Sequence, residues 1–212
     1  ILLKNIRPGR FPDMVETHSD TKGSRLGMWL FLYTEMILFT GLFILYAVYF
    51  KKYPADFVAG GKELSLMFGT VNTIILLFSS FAVAASITAI QKQSKALAAG
   101  MIAAAVMIGG VFLFNKYIEW GQKIHHGIYP NSPDLVNGPP GKNMFFGLYY
   151  VITGLHGLHI IIGMILLCVC LYMVLTNRIH AGNDGVLHNS GLYWHLVDII
   201  WIFIFPLLYL II

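Results

Sequence analysis

Five apolar stretches, each long enough to cross a lipid bilayer, constrain this chain more than any other feature. The hydrocarbon core takes about 20 residues of helix, and residues 26–50, 64–90, 96–120, 143–176 and 192–212 all reach that length. Backbone N–H and C=O groups find no water in hydrocarbon, so each stretch must satisfy them internally, as an α-helix does. The predicted fold class is therefore all-α, a polytopic membrane bundle of five transmembrane helices. Composition agrees: 11% of residues are charged and 57% hydrophobic, where a soluble domain carries about a quarter charged residues. The chain divides into an N-terminal segment, 1–25, and a five-helix transmembrane domain, 26–212. Residues 1–25 lack the apolar core of a signal peptide.

The connections carry turn chemistry, KKYPADFVAGGKE between the first two spans and YPNSPDLVNGPPGKN between the third and fourth. The fourth stretch is too long for the core alone and must tilt or project into water. In the fifth, Pro206 removes one backbone donor, which predicts a kink. The net charge of +4 is scattered, without the basic block that tracks nucleic acid, so no nucleic-acid partner is expected. Lys4, Arg7, Arg10, Lys22, Arg25, Lys92, Lys95 and Arg178 lie on the N-terminal side, against Lys51, Lys52, Lys62, Lys123 and Lys142 on the other. The positive-inside bias then places the N-terminus in the cytoplasm and the C-terminus outside. Cys168 and Cys170, two apart in an apolar run, sit on different helix faces and do not pair.

Ionisable groups at membrane depth are expensive, so each needs a reason. Glu35 lies near the bilayer middle, about 15 Å into the first span. Its own helical face reads Met28, Phe31, Leu32, Leu38, Phe39 and Leu42, so no partner lies on that helix. It must meet a partner on another helix, a lipid headgroup or water, or carry a proton. His156 and His159 share a face of the fourth span, and His195 and Asp198 share a face of the fifth, each pair being spaced by three. Two histidines and a carboxylate resemble a metal shell. Depth opposes it: His156 lies about 33 Å before Arg178, toward the outer surface, while His195 sits just past the inner loop. These residues read instead as interhelical hydrogen-bond contacts, each worth about 1 kcal/mol or less. Glu119 lies within reach of Asn115 and Lys116 on its own helix and at the depth of His156. It belongs either to an interfacial polar cluster with Trp120 or to a contact with His156. Gly109, Gly110, Gly154, Gly157 and Gly163 mark close helix crossings.

Four segments in order, RLGMWLFLYTEMILFTGLF, FNKYIEWGQKIHHG, TGLHGLHIIIG and GLYWHLVDIIWIFIFPLLYL, closely resemble subunit III of the haem-copper cytochrome c oxidases. The chain resembles the family's five-helix bacterial form, lacking the two leading helices of the seven-helix members. The resemblance implies an accessory subunit with no haem or copper of its own and no catalytic residue, those cofactors belonging to partner subunits. Its expected partners are the catalytic subunit I, subunit II and membrane phospholipids, in the bacterial plasma membrane. Glu35 matches the family's membrane-embedded, carbodiimide-reactive glutamate, which implies a role in proton uptake or at bound phospholipid. The same subunit of a quinol oxidase or a nitric oxide reductase complex is the nearest alternative. A small proton-coupled transporter relaying through Glu35 and Asp198 is a second, but the sequence shows neither an internal repeat nor paired broken helices. A membrane di-iron enzyme is a third, and it needs histidine boxes converging on one face, which the spacing here does not supply.

Overall fold

The structure, a computed structural model, describes residues 21–210. Residues 1–20 of the segment expected in the cytoplasm, and residues 211 and 212, lie outside the described residues. Five helices are long and apolar enough to span a membrane. They are α1 (Thr21–Lys52), α3 (Leu66–Gln91), α4 (Lys95–His125), α6 (Pro140–Leu175) and α7 (Gly185–Phe205). Two short helices, α2 (Pro54–Lys62) and α5 (Pro133–Val136), occupy the α1–α3 and α4–α6 connections. Both begin on a proline, whose missing N–H is no loss in a first turn. These two connections form the far face of the bundle. The α3–α4 and α6–α7 connections and the start of α1 form the near face.

The helices outrun the apolar stretches. α1 starts at Thr21 and α4 runs through Gln122 and Lys123 to His125. The fifth apolar stretch begins at residue 192, but α7 already starts at Gly185. A polar end costs a helix nothing once its side chains reach the interface, so apolar content underestimates helix length. At Pro206 the chain widens into a π-helical turn, Pro206–Leu210. The missing donor that predicts a kink is thus absorbed in a wider turn.

The five spans are unequally held. The most apolar window of α7 is 56% buried and that of α1 only 11%. α7 packs on α3, α6 and α1, α4 packs on α3 and α6, and α1 lies at the edge against α6 and α7. Glycines permit the central crossings. A Cβ at Gly163 would meet the Trp194 ring at 2.7 Å, and one at Gly109 would meet it at 2.9 Å. Trp194 is fully buried between them. On the far face Phe57 of α2 is 1% exposed and packs edge-on against Tyr46 and Phe145.

Candidate functional site

Glu35, which has no partner on its own helix, meets His159 of α6. Its Oε2 lies 2.8 Å from His159 Nε2. The other ring nitrogen, Nδ1, contacts the Leu155 carbonyl one turn earlier at 2.7 Å. A carbonyl only accepts, so Nδ1 carries the hydrogen and Nε2 is left for the carboxyl. The Nε2–Oε2 contact therefore holds one proton, on oxygen in a neutral pair or on nitrogen in an ion pair. Phe39 stands edge-on to the imidazole at 5.3 Å, and Tyr193 of α7 donates its hydroxyl to the His159 carbonyl at 3.4 Å. The site joins three helices, yet the Glu35 side chain keeps 17% of its surface exposed. It lies on the sparsely covered α1, beside the exposed Met36 and Leu38. The geometry provides a hydrogen-bonded carboxyl–imidazole pair that stays partly exposed on the outer side of the bundle.

The remaining polar residues fall into separate places. Glu119 is 2% exposed. Its Oε2 accepts from Lys116 Nζ at 2.8 Å, and its Oε1 accepts from the Tyr149 and Tyr209 hydroxyls at 3.0 and 2.7 Å. This joins α4, α6 and the π turn near the far face. The alternative contact between Glu119 and His156 does not form. His156 is fully buried between Phe112 and Trp201, with ring centroids at 5.5 and 5.1 Å, and neither ring nitrogen has a hydrogen-bond partner among the described residues. Asn115, expected within reach of Glu119, donates instead to Asn72 of α3 at 2.9 Å. His195 Nδ1 contacts the Ser80 hydroxyl of α3 at 2.6 Å. Asp198 is 4% exposed and lies beside the Ser80 hydroxyl, and among the described residues its carboxyl oxygens have no partner that meets hydrogen-bond geometry. Among the described residues no three His, Cys, Asp or Glu side chains converge where a metal ion could be held.

Lys116 was legible in the sequence as a residue within reach of Glu119 on the same helix. Tyr149, Tyr209 and Ser80 carried no signal, because an aromatic or a serine in an apolar run is ordinary until the register between helices is known.

The model of the family described as cytochrome c oxidase subunit III matches residues 11–211, nearly the whole chain. The chain belongs to that family. It is 32% identical over 189 residues to cytochrome c oxidase subunit 3 of a Synechocystis species, covering 87% of this chain and 74% of the relative. To the protein of the same name from Thermostichus vulcanus it is 31% identical over 193 residues, covering 87% and 86%. To cytochrome bo(3) ubiquinol oxidase subunit 3 of Pseudomonas aeruginosa it is 27% identical over 198 residues, covering 93% and 90%. The subunit III segments recognised in the sequence meet at the Glu35 site: RLGMWLFLYTEMILFTGLF supplies Glu35, TGLHGLHIIIG supplies His159, and GLYWHLVDIIWIFIFPLLYL supplies Tyr193. The fourth, FNKYIEWGQKIHHG, supplies Lys116 and Glu119 to the far-face cluster.

Proposed function

We propose that this chain is the accessory, haem- and copper-free third subunit of a terminal respiratory oxidase in aerobic electron transport. The observation that carries this reading is the continuous family match over residues 11–211. Its partners are the catalytic subunit I, subunit II and membrane phospholipids. The complex lies in a bacterial plasma membrane with the near face, and the N-terminus, in the cytoplasm, as the basic residues favour. Cytochrome c is the proposed donor. Quinol is the second reading, because several relatives bear quinol oxidase names. Oxidation of reduced cytochrome c against a quinol by the purified complex separates the two.

Within that complex, Glu35 and His159 sustain proton uptake toward the catalytic subunit. The geometry supports this because one exchangeable proton sits between them and the carboxyl remains partly exposed. Glu35→Ala should leave assembly, haem spectra and initial turnover intact and shorten several-fold the time for which the complex stays active. Progress curves of the reconstituted oxidase measure this. An inactivation rate equal to wild type would remove Glu35 from proton uptake while leaving the subunit assignment standing.

A further inference from the structure

On the far face, the ends of α2, α4, α5 and α6 enclose a polar cavity of about 550 Å³ whose walls include Glu63, Glu119, Gln122, Lys123, Asp134 and Lys142. Most of its charges are matched. Lys142 Nζ lies 2.6 Å from Glu63 Oε1, and Glu119 is held by Lys116. Two charges of opposite sign have no salt bridge of their own among the described residues. Lys123 is 7% exposed, and its ammonium donates to a single neutral acceptor, the Glu63 carbonyl at 3.0 Å. An ammonium has three N–H donors, and a buried one with spare donors favours an anion beside it. Asp134, exposed on the first turn of α5, makes no hydrogen bond or ion pair among the described residues.

The cavity also lies at a telling depth. Trp120 and Tyr117, the latter 77% exposed, precede Lys123 on α4 by about one and about two turns. Aromatic residues of this kind mark the headgroup level of a bilayer. Ile124, Tyr129 and Val136, which are 51%, 40% and 57% exposed, each follow a residue of the cavity wall in sequence and add exposed apolar surface to this face. A small group that brings a phosphate and an ammonium together at that depth matches both of these charges.

We propose that this cavity is a headgroup site for a zwitterionic phospholipid of the ethanolamine class, with Lys123 holding the phosphate and Asp134 the ammonium. The inference requires only that the chain sits in a membrane and is independent of the role given to Glu35.

The test uses the whole oxidase complex carrying the wild-type chain, Lys123→Gln, Lys123→Arg or Asp134→Asn. Each is washed in detergent and exposed to phosphatidylethanolamine vesicles, phosphatidylglycerol vesicles or inorganic phosphate. Native mass spectrometry then counts the lipid retained on this chain. Wild type should retain phosphatidylethanolamine in preference to phosphatidylglycerol. Lys123→Gln should lower retention about tenfold, the scale of one charge-assisted hydrogen bond. Lys123→Arg should keep it, which separates loss of charge from misfolding. Asp134→Asn should keep phospholipid but lose the preference for ethanolamine. Equal retention in wild type and Lys123→Gln would overturn the proposal. So would displacement of the lipid by inorganic phosphate, which marks a free-anion site, or loss of a partner subunit from Lys123→Gln with lipid retention unchanged, which marks a protein contact.

Discussion

The Lys116–Glu119 pair is the most demanding residue-level arrangement in the bundle, because both charges are withdrawn from water. Lys116 is 7% exposed and Glu119 2%. Such a pair survives only where further groups satisfy what the pair leaves over, and here two tyrosine hydroxyls do so for the carboxylate. Removing one partner strands the other charge. Lys116→Met should therefore destabilise the chain by about 3–5 kcal/mol, while replacing both residues by apolar ones of similar volume should recover most of that. Unfolding midpoints of the purified complex in denaturing detergent measure both variants; equal losses in the single and double variants would show that the charges are not coupled. The spacing of three between these residues was legible in the sequence, and so was the need of Glu35 for a partner elsewhere. That His159 rather than His156 would reach a carboxylate was not. Both histidines share one helix face, and which neighbour each meets depends on how far α1 and α7 slide against α6. No single span encodes that offset.

At the scale of elements, α2 turns the far-face connection into a fastening. α6 begins after Pro139 with no side-chain cap of its own, and Asp56 of α2 accepts from Gly141 N at 3.1 Å instead. A carboxylate at a helix N-terminus both satisfies an orphan N–H and faces the positive end of the helix dipole. Asp56→Ala should cost about 1 kcal/mol and Asp56→Asn much less, read as the thermal midpoint of the complex. Equal losses would point to packing rather than capping. The five spans could be counted from the sequence because hydrocarbon demands long apolar helices. Their ends could not, since the polar residues at 21–25, 121–125 and 185–191 continue the helices into the interface. Pro54 and Pro133 signalled turns and turned out to open short helices. The chemistry of a turn and of a helix start is the same at a proline, and only the contact of Phe57 with Tyr46 and Phe145 decides between them.

Across the whole molecule, burial falls from α7 at the centre to α1 at the edge, and the Glu35 site lies on the boundary between them. α1 meets the rest of the bundle through few polar contacts among the described residues: Glu35 with His159, and Ser24 with Asn189 on the exposed near face. Phe31 against Tyr193 and Phe39 against His159 add aromatic contacts around the first of these. The Glu35–His159 contact is therefore the principal polar tether of the least buried helix. Local opening follows contact density, so α1 is the first span to loosen when that tether is cut. His159→Ala should raise amide hydrogen exchange through the middle of α1, around Glu35, and leave α7 at the wild-type level, because α7 keeps its contacts with α3 and the Trp194 cradle. Exchange followed by mass spectrometry on the intact complex resolves the two helices. Equal rises in α1 and α7 would mean that His159 supports the whole bundle. Unchanged exchange in α1 would mean that its apolar contacts, or a neighbouring subunit, hold it without the pair.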